Sequence, residues 1–223
     1  MGLLSFSLCC IWPSTVAGGF TRSVEHVSLS AVEHTVAIQI LDPEIGMWAT
    51  VGSGTLIETK SLGYAVLTAE HVALVTLSGK TRMCNLNASS CIFVKGHFIF
   101  DSNEDAVTDW ALYRMSEIPE GISPATVSRY RDILIGERVT LIGVPFGQTP
   151  WVSQGRIAWL INESGGDLYG IDGFAVPGFS GGGAYDGSGK LIGVTIAIGL
   201  GMWGPQENQV LVVPIGNIPF KLN

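Results

Sequence analysis

At 223 residues, 47% hydrophobic and only 14% charged, the chain has ample material for a large core, which excludes an extended disordered protein. A formal net charge of −7, with no Lys/Arg stripe or cluster, argues against nucleic acid as a partner. The 29 glycines fit the tight turns, bulges and barrel corners of an all-β chain.

Residues 1–30 stand apart as an N-terminal segment. Met1 to Phe20 is apolar and carries no Lys or Arg, and Pro13 interrupts it. It fits a secretory signal cleaved after Ala17, with Thr15 two positions before the cut, or an arm packed on the folded body. A signal over residues 1–17 implies a secreted or periplasmic protein; an arm leaves an intracellular or viral setting open. The segment is too short and broken for a membrane span, and no other stretch approaches one.

From residue 31 onward, short runs rich in Val, Ile and Thr alternate with Gly, Pro, Asn and Asp. Thr35–Leu41, Thr50–Ile57 and Tyr64–Thr68 read as strands, and His71–Leu77 as one helical turn. Cys91–Phe100 and Trp110–Met115 complete a first half over residues 31–116. The stretch Ser116–Glu137 is more polar and holds Pro119, Gly121 and Pro124, so residues 117–136 are the natural connector. A second half over residues 137–223 contains Val139–Val144, Ser153–Ile161, Leu191–Ile198 and Val210–Ile215. Almost no run is long enough for an amphipathic helix, and the spacing predicts an all-β sandwich or barrel.

Cysteines stand at 9, 10, 84 and 91. Cys84 and Cys91 are spaced to close a short hairpin loop, and the sequence leaves a disulfide and two free thiols equally open. No Cys-x-x-Cys pair and no His pair at ligand spacing appears, so no metal is expected. The sequons at Asn87 and Asn162 carry meaning only in a eukaryotic secretory pathway.

The chemistry-bearing stretch is Pro177-Gly178-Phe179-Ser180-Gly181-Gly182-Gly183. A hydroxyl is a poor nucleophile without a base in hydrogen-bond reach and backbone N–H groups aimed at the developing oxyanion. Glycine at 178 lets its N–H and that of Ser180 point to one spot. A phosphate loop is excluded, because no Gly-Lys-Ser/Thr and no helix-forming segment follows. In α/β-hydrolases a Gly-x-Ser-x-Gly serine precedes its histidine. Here all four histidines, His26, His34, His71 and His97, lie upstream of Ser180, so the base comes first in the chain.

His71 is the candidate base, because the strand Tyr64–Leu67 runs into a small-residue turn that presents it. His34 and His97 lie within strand-like runs and read as structural, and His26 belongs to the N-terminal arm. A histidine base needs a carboxylate to fix its tautomer. Asp109, at the mouth of the apolar run Trp110-Ala111-Leu112, is the first choice. Asp101 and Asp105 sit in a polar loop, and Asp105 is the fallback.

Thr68-Ala69-Glu70-His71-Val72, Asp109-Trp110-Ala111-Leu112 and Pro177-Gly178-Phe179-Ser180-Gly181-Gly182 resemble the three signatures of trypsin-like serine peptidases. Within that group the chain is most similar to the HtrA/Deg family. Gly52-Ser53-Gly54, Ile142-Gly143-Val144-Pro145-Phe146-Gly147, the run from Val152 to Ile157, and Gly189–Val194 followed by Val212–Ile215 carry the likeness further. It covers roughly residues 34 to 219. Phe179 departs from the Asp of digestive zymogens and the Asn frequent in HtrA/Deg proteins, so activation by a cleaved amino group has no partner here.

The resemblance implies a domain over residues 31–223 built of two six-stranded antiparallel β-barrels, with the site in the cleft between them; as a departure from the HtrA/Deg pattern, no PDZ domain is expected. It implies a serine endopeptidase working through an acyl-enzyme, with Ser180, His71 and Asp109 as triad and the N–H groups of Gly178 and Ser180 as oxyanion hole. The substrate is a protein or peptide and no cofactor is needed. Ile196, Ala197 and Ile198 would form the edge along which substrate adds as a strand. Phe174, six residues before the nucleophile, would stand at the base of the specificity pocket and favour an uncharged apolar residue. The competing class is a double barrel that binds peptides or a partner without cutting. An esterase on another fold is disfavoured by chain order.

Overall fold

The computed structural model describes residues 31–94, 98–100, 109–128, 133–147, 149–163, 166–201 and 204–219. The N-terminal segment with Cys9, Cys10 and His26, together with His97, Asp101 and Asp105, lies outside the described residues.

Among the described residues, thirteen strands form two antiparallel sheets. The first holds β1 (Thr35–Leu41), β2 (Trp48–Thr59), β3 (Gly63–Thr68), β4 (Thr81–Cys84), β5 (Cys91–Val94), β6 (Phe98–Phe100) and β7 (Ala111–Arg114). Their order across the sheet is β5-β4-β1-β2-β3-β7-β6. The second holds β8 (Arg138–Gly143), β9 (Trp151–Glu163), β10 (Gly166–Asp172), β11 (Gly183–Tyr185), β12 (Leu191–Gly201) and β13 (Gly204–Pro214). It closes into a barrel in the order β10-β13-β12-β11-β8-β9. One short helix, α1 (Glu70–Thr76), follows β3.

The all-β double-barrel class expected from the sequence is the fold observed. The first sheet has a seventh strand because the apolar run from Cys91 to Phe100 divides into β5 and β6, at opposite edges of the sheet. Laid flat, seven strands would span about 29 Å, at roughly 4.8 Å per neighbour. Only three residues separate Val94 from Phe98, and four Cα steps reach no more than about 15 Å. The edges therefore approach each other and the sheet curls into a half-barrel.

Two apolar clusters hold this arrangement. One fills the curled sheet and continues into Ile142, Tyr185, Leu191, Val194, Ile196 and Val213 of the barrel, so the sheets share a buried seam. The other fills the barrel interior, where Leu141, Ile157, Ile171, Ile192 and Val212 surround Phe179. The chain between the sheets straps them together. Ala125 N–H donates to Leu56 O in β2 at 2.8 Å, and Ser128 N–H donates to Leu191 O in β12 at 2.8 Å. His34 takes a structural place here, its Nδ1 2.9 Å from Ser123 O. Cys84 and Cys91 face each other in the β4–β5 register and form a disulfide, which settles the alternative that spacing left open. Among the described residues no helix is long and apolar enough to cross a membrane.

Candidate active site

β3 runs from exposed Gly63 and Tyr64 into the fully buried Ala65–Thr68, and the chain turns there into α1. A helix start leaves backbone N–H groups without intrahelical partners. Ala69 at the N-cap has no side-chain acceptor to offer them. Asp109 supplies one from another strand: its Oδ1 accepts the His71 backbone N–H at 3.0 Å. Its Oδ2 lies 2.7 Å from His71 Nδ1. An ionised carboxylate can only accept, so Nδ1 carries the proton and Nε2 presents a lone pair. One carboxylate thus caps the helix and fixes the tautomer of its histidine. Trp110, 1% exposed, leads from Asp109 into β7, and the Thr68–Ala111 pairing of β3 with β7 sets the two side chains together.

The pair lies at a rim, with the His71 side chain 49% exposed and that of Asp109 20%. α1 is fastened behind it by Tyr113 of β7, whose hydroxyl donates to Ala73 O at 3.3 Å and bonds Thr76 Oγ1. Burial pushes the Tyr113 phenol up to about 12, against a smaller opposing effect of the Thr76 hydrogen bond, so it stays a neutral partner.

Ser180 stands on the turn between β10 and β11. Its neighbour Phe179, 1% exposed, is driven into the barrel core, and that burial decides which way the turn faces. Gly178 adopts φ +99°, a backbone conformation that favours glycine. Gly181 adopts φ +85°, and a Cβ there would meet Ser53 O and Thr68 Oγ1 at 2.0 Å. That crowding is where the two halves close on one another: Thr68 lies three residues before His71, and Gly181 directly follows Ser180.

The hydrogen bonds of the turn leave a pattern. Phe179 N–H donates to Val176 O at 3.0 Å, Gly181 N–H to Thr195 O at 2.7 Å and Gly182 N–H to Phe179 O at 2.8 Å. Among the described residues, the N–H groups of Gly178 and Ser180 have no acceptor. These are the two donors expected of an oxyanion hole. The Ser180 hydroxyl donates to Ile196 O at 3.2 Å, and among the described residues no hydrogen bond joins it to His71.

Ile196 is where the β12–β13 register shifts, which frees its carbonyl from the ladder. Its side chain is 2% exposed and packs in the shared core, so Ile196 faces the site through its backbone. Ala197 and Ile198 continue β12, paired with Leu211 and Val210. Phe174 is 50% exposed; its N–H donates to Ser153 Oγ at 3.0 Å, and its ring stacks on Trp151 with centroids 6.5 Å apart. Phe146, 66% exposed at φ 56°, meets Trp151 edge-on with ring centroids 6.5 Å apart. Sequence reasoning missed Phe146 and Trp151 as a group, because nothing in their spacing says that two loops would stack them. It also quoted Gly52-Ser53-Gly54 without a role for the serine.

The trypsin-like peptidase domain matches residues 52–194, well over half of the chain. The chain belongs to the trypsin-like peptidase family. It is 33% identical over 107 residues to chloroplastic Protease Do-like 1 of Arabidopsis thaliana, a stretch covering 44% of this chain and 24% of that protein. Among solved structures it is similar to the HtrA-type protease AlgW with a tripeptide, at TM-score 0.66 and 22% identity over 86% of this chain and 60% of that one. The active form of the Rv3671c protease from M. tuberculosis matches at TM-score 0.66 and 20% identity, over 98% of this chain and 91% of that one. At these identities the structural likeness speaks for the fold. This member of the family spans about a quarter of the plant protease and three-fifths of the AlgW chain.

Proposed function

We propose that the protein is a serine endopeptidase in which Ser180 is the nucleophile, His71 the general base and Asp109 the group that orients it. The observation that carries this reading is the double grip of Asp109 on His71, which leaves Nε2 bare. In the first step Ser180 Oγ bonds to the carbonyl carbon of the scissile peptide while its proton passes to His71 Nε2. The carbonyl electron pair moves onto oxygen, which the N–H groups of Gly178 and Ser180 receive. Collapse breaks the C–N bond, and the leaving amine takes the proton from His71. Water then repeats the sequence on the acyl-enzyme. No step requires a cofactor.

The substrate is a protein or peptide, in keeping with the peptides bound to the HtrA-type neighbours. It lies along the backbone of Ile196, Ala197 and Ile198 as an added strand. Phe174, stacked on Trp151, favours an uncharged, apolar residue on the acyl side; Asp172, the one nearby acid, sits two residues earlier and is exposed, so a Lys or Arg buried there would gain little from it.

One observation favours the second reading, a binding module that does not cut: the Ser180 hydroxyl points to Ile196 O and not to His71. A 3.2 Å bond is weak, and a rotation about χ1 redirects the proton; catalytic hydrogen bonds commonly tighten only with substrate. Labelling by a fluorophosphonate together with digestion of a peptide library separates the readings. The peptidase reading expects covalent label on Ser180 and cleavage after apolar residues. No label and no cleavage would leave the binding module, and dominant cutting after Lys or Arg would overturn the specificity.

A further inference from the structure

Ser53 is fully buried in β2, on the sheet opposite the Ser180 turn, and all its polar groups are engaged at the seam. Its N–H donates to Ser180 O at 2.8 Å. Its hydroxyl donates to Gly178 O at 2.6 Å and accepts Val144 N–H at 2.8 Å. Its own carbonyl accepts the Thr68 hydroxyl at 2.7 Å, which ties it to the strand that leads to His71. A single residue of the curled sheet therefore holds the carbonyls at both ends of the Gly178–Ser180 turn. With those carbonyls drawn toward Ser53, and the N–H groups of Phe179 and Gly181 bonded elsewhere, the donors left over are those of Gly178 and Ser180.

We infer that Ser53 is a positioning residue for the oxyanion hole: its hydroxyl locks the Gly178–Phe179 peptide so that the N–H groups of Gly178 and Ser180 stay aimed at one point. The inference rests on the peptidase reading. The lock is needed because Gly178, with no Cβ and φ +99°, resists peptide rotation only weakly. Removing the hydroxyl strands two backbone groups, Gly178 O and Val144 N–H, in the seam. Buried polar groups do not stay unpaired if the chain can move. The cheapest movement is a shift about the Gly178 φ and ψ, which tilts the Pro177–Gly178 and Phe179–Ser180 peptides that carry the two donors and takes them out of register. Thr68 extends the lock from β2 to β3, the strand that leads into His71.

The test uses the full chain and compares it with Ser53→Ala and Ser53→Cys, the latter near-isosteric with a weaker donor. Loss of one oxyanion donor lowers kcat by about 10²–10³, so loosening both is expected to lower kcat roughly 10-fold or more. KM should stay within about 2-fold, because ground-state binding is untouched. A peptidyl aldehyde, whose hemiacetal oxygen occupies the oxyanion position, should bind Ser53→Ala about 10-fold more weakly, in parallel with kcat. The matching peptidyl alcohol, which makes no adduct, should bind as before. Ser53→Cys should fall between the wild type and Ser53→Ala, and it serves by the same criteria if Ser53→Ala does not fold. Unchanged kcat in the folded variants, or aldehyde and alcohol affinities that weaken together, would overturn the role. A wild-type chain that neither turns over peptide nor takes the fluorophosphonate label overturns the peptidase reading and this inference with it; an active wild type beside unaffected variants overturns this inference alone.

Discussion

His71 and Asp109 sit at the rim of a curled, seven-stranded sheet, their side chains 49% and 20% exposed. Ser180 sits on a turn plugged into a closed barrel by a phenylalanine that is 1% exposed. The first pair is held by polar bonds: two from one carboxylate to one histidine. The second is held by apolar burial and by glycines that let backbone approach backbone. On the proposed reading, with His71 as base and Ser180 as nucleophile, the difference follows from the work asked of each. A base must trade a proton with substrate and water, so it lies near solvent and its tautomer is set electrostatically. A nucleophile turn must keep backbone donors fixed to a fraction of an ångström, so it is anchored in a rigid core. Damage to the two kinds of hold should therefore separate: loss of the polar grip on His71 costs rate and not fold, whereas loss of the apolar anchor in the barrel costs fold before rate.

The largest expected effect breaks chemistry alone. Ser180→Ala should lower kcat by about 10⁶ while leaving the melting temperature unchanged, since the hydroxyl makes only one weak bond at 3.2 Å. Peptide turnover retained by purified Ser180→Ala would sink its assignment as nucleophile.

Next comes Asp109→Asn, expected to lower kcat by about 10⁴ through the wrong histidine tautomer. An asparagine oxygen can still accept the His71 backbone N–H, so α1 should keep its cap and the far-ultraviolet circular dichroism should not change. This variant isolates the rim: activity falls by orders of magnitude and the fold does not. If Asp105→Asn cripples the enzyme and Asp109→Asn is mild, the carboxylate has been misassigned.

The legible parts of the site were those whose chemistry restricts residue type. A serine among glycines, a histidine after an apolar strand and an aspartate before one leave few alternatives, and chain order removed most of those left. β1 coincides with its predicted span because Thr35–Leu41 is β-branched and bounded by turn residues. β4, β10 and β11 were missed, the last two for a physical reason. β10 carries two glycines and two aspartates, and β11 is three residues long, so neither has strand character of its own. Both are strands because neighbours pair with them on two sides: β10 lies between β9 and β13, and β11 between β8 and β12. Ser53 was illegible in the same way. A serine in a strand has no signature until the partner 125 residues away is brought to its hydroxyl.

The smallest of the expected changes in rate, and the one that sharpens the comparison most, is Phe179→Ala. Phe179 occupies the position before Ser180, where its ring packs with Leu141, Ile171 and Val212 inside the barrel. Truncating a buried Phe to Ala costs about 3–5 kcal/mol, from lost transfer energy and the cavity left behind. For a domain of this size that should lower the melting temperature by roughly 10 °C. Below the new transition the catalytic groups are all present, and Ser53 still holds the carbonyls of Gly178 and Ser180. The folded fraction should therefore keep kcat within about 10-fold of wild type, far from the losses at Ser180 or Asp109. Phe179→Leu, which leaves a smaller void, should recover most of the stability and more of the rate. A Phe179→Ala variant that melts at the wild-type temperature but has lost several orders of magnitude in kcat would erase the distinction. The turn would then be held by its own hydrogen bonds, and the barrel would be a frame around it and not its anchor.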